Sequence, residues 1–436
     1  MRGRIALWAI VCGLSLTFAG QARADGVAYE SDPESPFERS PQDEQIAAIA
    51  HRDGVEKLII AINIDLEQDE KAVWIFPVPG TPDRVWLDVL DTFPEFSGKN
   101  LRGQARMAIE RVTAVMAVTQ IYPVILPLFF IATAGGSSGF EPVSVHQAVD
   151  RYGVHAEAVS ADSLEALSAH LAANGATIAG EDLRTFEPYV SDEYVLVLAW
   201  IASREELLRE FPEVREGWWH SSQRWPCLYV EFPTERAFYP LRPTSAYGRK
   251  WIWISVYVVG FVTLDVDDPE WAEEHFGVAY CRQDGFGPNA PEQFTEGFTE
   301  SPVRYTVVYD RSLTADQLTS DLWFRPHEPA SVKYASVMAI LLRPYVFAPF
   351  CALLIAALSY VSAGISALLV YDEWRPYARR GVWNLLTLIG LGYAVAKYHR
   401  REVGEKRDLV PFLLVFALIY ALLAFAARAV LLAPLA

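Results

Sequence analysis

The sequence predicts an α+β extracytoplasmic domain with a mixed or antiparallel sheet, followed by an all-α C-terminal transmembrane region. Three observations carry this expectation. Residues 25–333 alternate strand-like and helix-like patterns, residues 345–436 hold a cluster of apolar segments, and residues 1–24 read as an export signal. The 436-residue chain is 52% hydrophobic and 13% aromatic. Those values, with no low-complexity tract or internal repeat, describe a globular composition.

At the N-terminus, Arg2 and Arg4 precede an apolar run from Ile5 to Gly20, and Ala22-Arg23-Ala24 supplies a small-x-small cleavage pattern. This is the layout of a secretory signal peptide, 1–24, with Asp25 as first mature residue; an uncleaved anchor is the rival reading. Val11 before Cys12 is too large for a good lipoprotein site.

The exported part, 25–333, is strongly acidic. The chain has 37 Lys+Arg and 54 Asp+Glu; removing the three basic residues of 1–24 and the ten basic and five acidic residues of 334–436 leaves a net of about −25. Such a surface repels phosphate backbones, so no nucleic-acid partner is expected. Cys227 and Cys281 are the two cysteines of this part, and in an oxidising compartment they form a candidate disulfide.

Element by element, Val55 to Leu66 sets Leu58, Ile60, Ile62, Ile64 and Leu66 on one face at period two, a strand. Ala72 to Val78 is a second, stopped by Pro77, Pro79, Gly80 and Pro82. Asp162 to Ala173 is a helix with Asp162 and Glu165 as a capping-box pair, a Leu164/Leu167/Leu171 stripe and an Asn174-Gly175 stop. Tyr194 to Ile201, Leu228 to Phe232 and Trp251 to Leu264 read as further strands. Ser203 with Glu206, and Thr314 with Gln317, cap two short helices.

Several of these segments form a recognisable series: Ala24-Asp25-Gly26, Gln45 to Ala48, the Ile-rich strand and Trp74-Ile75-Phe76-Pro77-Val78-Pro79. It continues with Asn174-Gly175, Phe232-Pro233-Thr234, Tyr239-Pro240-Leu241 and Ser320-Asp321-Leu322. Over most of 24–325 the chain resembles the uncharacterised bacterial family DUF2330. That resemblance implies an exported, membrane-anchored protein without an assigned activity. It thereby implies the bacterial inner (cell) membrane, with the large domain on the extracytoplasmic side. The apolar run at 112–134 departs from the family pattern.

Val112 to Ala134 is uncharged over 23 residues, long enough to span. Pro123 and Pro127 interrupt it, and Lys99, Arg102, Arg106 and Arg111 precede it on what would be the outer side. The favoured expectation is a non-spanning apolar hairpin that dips into the bilayer or packs on the C-terminal helices. A single crossing and an ordinary core helix are the alternatives. In the membrane domain, 334–436, Tyr345 to Val370 and Leu409 to Ala427 read as spans, and Gly381 to Ala396 is short for one. Three crossings place one basic loop outside; a re-entrant middle segment keeps both inside.

Catalytic signals are thin, and no cofactor signature is present: no Walker A, dinucleotide fingerprint, zinc knuckle or HExxH. Gly135-Gly136-Ser137-Ser138-Gly139 matches the letters of a hydrolase elbow but lacks its strand and helix. Asp265, Asp267 and His275, with the acids between them, are candidate metal ligands, yet Asp268-Pro269 also reads as a helix cap. Trp218, Trp219, Trp225, Trp251 and Trp253 form an aromatic belt. At alternating positions in an apolar strand, such residues are expected in the core.

Two functions follow as expectations. The first is a membrane-tethered binding or scaffold protein whose partners are the lipid bilayer and a membrane or envelope protein. The second is an envelope hydrolase using Ser137 or the Asp265–His275 cluster. A transport accessory subunit is a weaker third, and Arg428 inside the last apolar run has no explanation in sequence.

Overall fold

The computed structural model describes residues 27–31, 37–39, 44–62, 71–121, 149–212, 226–287, 290–298, 301–310, 313–371 and 409–435. The export signal, Ser137 with its glycines, Trp218, Trp219, Trp225 and the segment 381–396 lie outside the described residues. The chain forms two compact units: Met1–Gly98 with Ser137–His327, and Lys99–Gly136 with Glu328–Ala436. The second unit resumes at Glu328, against an expected boundary at 333/334 and an expected insertion at 112–134. The middle insertion belongs with the C-terminal helices, and it begins at residue 99.

The first unit is built from strands β1 (Val27–Ser31), β2 (Glu38–Arg39), β3 (Glu44–Arg52), β4 (Val55–Ala61), β5 (Lys71–Pro79) and β6 (Trp86–Leu90). After β7 (Lys99–Asn100) and helix α1 (Leu101–Ile121) of the second unit, it resumes. There follow β8 (Val149–Arg151), β9 (Val154–Val159), α2 (Leu164–Ala173), α3 (Gly180–Leu183), β10 (Tyr194–Ile201) and α4 (Arg204–Glu210). It continues through β11 (Cys227–Pro233), β12 (Ala237–Tyr239), β13 (Trp253–Val259), β14 (Val262–Leu264), α5 (Pro269–His275) and β15 (Phe276–Gln283). It closes with α6 (Glu292–Thr295), β16 (Val303–Asp310) and β17 (Leu322–Pro326).

One sheet runs β2-β1-β5-β10-β9-β8 with antiparallel pairing throughout. A second runs β6-β11-β4-β3-β13-β16-β15 and is mixed, because β3 and β13 are parallel. A small third sheet is ordered β12-β17-β14. The two large sheets face each other across one core: Trp74, Phe76, Val195 and Val197 from the first, and Leu58, Ile60, Ile254 and Val256 from the second.

Their outer faces are covered as well. Leu167, Leu171, Phe186 and Tyr189 pack on Val73, Ile75, Leu196 and Leu198 of the first sheet. Phe93, Phe96, Phe286 and Phe294 cover part of the second. Burial on both faces explains why β4 and β10 read as nearly unbroken apolar runs instead of a clean alternation. Leu58 and Ile60 face the inner core as the periodicity predicts, while Ile59 and Ala61 are buried in the outer layer.

Local chemistry sets the joints. Asp53 and Gly54 both have positive φ, 53° and 79°, the type I′ geometry of a two-residue hairpin between β3 and β4. Pro77 lies inside β5, opposite Leu196 of β10. Among the described residues, β1 pairs with β5 as far as Ile75, so Pro77 removes no described ladder bond on that side. Ser203, Asp268 and Thr314 cap their helices as the sequence suggests. At α2 the cap is Ser163, one residue beyond Asp162: its hydroxyl accepts from the Ala166 amide.

The second unit contains α1, α7 (Ala330–Ala339), α8 (Pro344–Tyr371) and α9 (Leu409–Leu432). Pro344–Val370 of α8, and Leu414–Leu435 running through α9 and the turn after it, are long and apolar enough to cross a membrane, 27 and 22 residues. At 1.5 Å per residue these are about 40 and 33 Å, against a hydrocarbon core of about 30 Å. Ala363 and Ala367 of α8 let Phe412, Phe416 and Tyr420 of α9 approach closely. On the opposite side of α9, Leu414, Leu418, Leu422 and Phe425 are 60–69% exposed. A stripe of large apolar side chains left outside the bundle suits lipid contact.

Helix α1 starts eleven residues before the uncharged run, because the Asn100 side chain accepts from the amides of Arg102 and Gly103. Its buried stripe, Leu101, Ala105, Ala108, Ile109, Val112 and Met116, has helical spacing, and Ala108, Val112 and Met116 pack with Leu341, Cys351 and Ile355. Arg428 of α9 donates to Glu110 of α1 at 3.1 and 2.5 Å, which accounts for an arginine inside an apolar helix. A single crossing between residues 79 and 194 is excluded: β5 pairs with β10 and β4 with β11, so chain on both sides of the insertion shares the same sheets.

Candidate functional site

The expected core position of Trp251 and Trp253 is overturned. Alternation holds: Ile252 and Ile254 are 2% and 0% exposed and point into the sandwich. The two indoles therefore point outward, at a place where the covering aromatic layer ends, and are 59% and 67% exposed. Tyr309, 42% exposed, joins them. Its strand position is opposite Ser255 on one side and Gly277 on the other. The Tyr309 ring lies over Gly277 so closely that a Cβ there would come within 2.3 Å of ring carbon Cζ. Only glycine leaves room for the ring to lie on the sheet.

The frame beneath this platform is firmly tied. The Asp310 carboxylate, 9% exposed, accepts from the Ile254 amide at 3.0 Å, fixing the backbone beside Trp253. Trp251 bridges to Thr314, and the Ala315 and Asp316 amides donate to Lys250 and Gly248 carbonyls. At two residues' separation, the indole-bearing positions are about 6.6 Å apart along the strand. The result is an exposed aromatic surface on a backbone held by these bonds, in an otherwise acidic unit. Exposed Trp and Tyr on a preorganised backbone bind flat ring faces with little loss of side-chain entropy.

The residues singled out from sequence do not converge. Asp265 is held by Arg236 at 2.8 Å and approached by Arg325 at 3.9 Å. Asp267 is exposed, and the His275 ring packs edge-on against Trp271 with centroids 5.6 Å apart. Asp268 accepts from the Trp271 amide as the helix cap. Among the described residues, no group of three or more His, Cys, Asp or Glu side chains is placed to hold a metal ion. The candidate disulfide is corrected: Cys227 and Cys281 are both thiols. They sit on β11 and β15 with four strands between them, on the order of 24 Å along the sheet, far beyond bridging range.

Two features had no signal in the sequence. Glu56 is fully buried; one carboxylate oxygen accepts from the Phe238 amide at 2.7 Å and the other has no hydrogen-bond partner among the described residues. Burial drives its pKa well above the ordinary carboxylate range, partly offset by that amide. His155 is hydrogen-bonded to Asp150, and His170 to Glu157, and the two contacts flank Trp200. The first ties β8 to β9 within the first sheet, and the second ties α2 to β9. Comparisons with protein-family models, curated proteins and solved structures find no match to this chain.

Proposed function

We propose that this protein is a membrane-anchored binding module that presents the Trp251/Trp253/Tyr309 platform on the extracytoplasmic side of a bacterial cell membrane. The exposed platform on a tied sheet is the observation that carries binding. The apolar α8 and α9, with a leucine stripe facing away from the bundle, support the anchor. Export of the acidic unit rests on the signal-like N-terminus, and the resemblance to DUF2330 points to the same location. The ligand class follows from charge and shape. A unit of about −25 disfavours anions, and aromatic faces stack on the C–H faces of sugar rings, so neutral glycan is the proposed ligand.

The test is titration of the full chain in nanodiscs with neutral oligosaccharides, followed by acrylamide quenching of tryptophan fluorescence. Binding is expected to shield the wild type. The double variant Trp251→Ala/Trp253→Ala should lose that shielding while its folding stability changes by only about 1 kcal/mol, as for exposed positions. Gly277→Val, which lifts the Tyr309 ring, should weaken binding with both indoles intact. A double variant that binds as tightly as the wild type would overturn the reading.

A further inference from the structure

The second unit carries a charge pattern opposite to the first. Arg106 and Arg111 of α1, Lys333 of α7 and Arg343 ahead of α8 are all exposed. Among the described residues, none of the four forms an ion pair, although Arg106 lies in the electrostatic field of Glu110. Glu110, the acid nearest to Arg106 and Arg111 along α1, is committed to Arg428 through both its oxygens. Among the described residues of this unit, the other charged groups are Lys99, Arg102, which donates to Ser331, and Glu328.

These side chains share one end of the bundle. The Tyr334 hydroxyl donates to the Leu431 carbonyl at 2.8 Å, setting α7 beside the C-terminal turn of α9. The Glu110–Arg428 pair sets the charged part of α1 about 10 Å inside that end, seven residues before Leu435. Arg343 donates to the Tyr345 hydroxyl at 3.1 Å, and Tyr345 is 70% exposed at the first turn of α8. Basic side chains and a tyrosine at the end of apolar helices are the pattern of a headgroup zone.

We propose that Arg106, Arg111, Lys333 and Arg343 bind the phosphate groups of anionic phospholipids in the leaflet at this end of the helices. The inference rests on the membrane-anchor reading and is independent of the platform's ligand. The occupant follows from complementarity: the cations are exposed, form no ion pair among the described residues, and lie at or near one end of the apolar helices. Each is worth roughly fivefold in affinity for an anionic surface, and salt screens the attraction.

The full chain is reconstituted in phosphatidylcholine vesicles containing phosphatidylglycerol, extracted in mild detergent, and its retained lipids are counted by native mass spectrometry. The wild type is expected to enrich phosphatidylglycerol at least fivefold over the bulk ratio, and to lose that enrichment as salt is raised. Arg106→Gln/Arg111→Gln/Lys333→Gln/Arg343→Gln should return to the bulk ratio, while Arg52→Gln/Arg84→Gln in the sheet unit should not. A wild type retaining lipid at the bulk ratio, or an enrichment indifferent to salt, overturns the proposal. So does self-association of the wild type through these four residues without lipid enrichment. A wild type that cannot be reconstituted at all contradicts the anchor reading instead.

Discussion

Gly153→Ala is expected to be among the most damaging single substitutions in the sheet unit, at about 3 kcal/mol or more. Two effects add. Gly153 follows Tyr152 in a two-residue turn between β8 and β9, with φ of 76° and 54°, so a side chain meets left-handed backbone strain. A Cβ at this position would also lie 2.2 Å from the Ser203 carbonyl oxygen and 2.7 Å from the Leu207 amide nitrogen. Both are backbone atoms that cannot turn aside. The clash would break the paired bonds from the Ala202 and Ser203 amides to the Gly153 carbonyl and release the start of α4. Gly54→Ala is the control: φ is 79° but nothing lies within 4 Å, so only the strain remains, about 1 kcal/mol. Thermal melting of the full chain in nanodiscs should place Gly153→Ala well below Gly54→Ala.

Glu56→Gln is expected to stabilise the protein, and more so as pH rises. The folded pKa of Glu56 is raised above its ordinary value near 4.5, so the folded state holds the proton more tightly than the unfolded chain. Its protonated contribution is fully present below that ordinary value and is lost as pH rises through the folded pKa. Across that window, one bound proton changes stability by at most about 1.4 kcal/mol per pH unit. Gln keeps an acceptor for the Phe238 amide and carries no titrating group. Melting curves at pH 4 and pH 8 should show a small difference at the lower value and a clear gain for Glu56→Gln at the higher. An equal difference at both would show that Glu56 does not titrate in this window.

Elements whose pattern is local were legible in the sequence. Tyr194 to Ile201 is β10 with the same limits, and Ser203, Asp268 and Thr314 cap where side-chain oxygen and spacing place them. What escaped was set by the other side of each layer. Period two puts Trp251 and Trp253 on one face, but whether that face is covered depends on how far the Phe93–Phe96 segment reaches across the sheet. Glu56 occupies a polar position of a hairpin strand, and the amide that bonds its buried carboxylate comes from Phe238, 182 residues away. Cys227 and Cys281 carry no information on strand order, which alone separates them. Helix α1 was hidden for a related reason. A search for uncharged spans starts at Val112, whereas the helix begins with Arg102, Arg106 and Glu110 on the faces its partners leave open or pair. Arg428 finds its partner in Glu110, 318 residues earlier in the chain.

The central claim, that the sheet unit stands wholly on one side of the membrane and outside the cell, has a direct measurement. Single cysteines are placed at Asp53, before the insertion, and at Glu296, after it, in a chain whose native cysteines are replaced by Ala. The replaced side chains are 88% and 78% exposed. Intact cells are then treated with a membrane-impermeant maleimide. Both cysteines are expected to label without permeabilisation. If either labels only after the cells are opened, the account is contradicted.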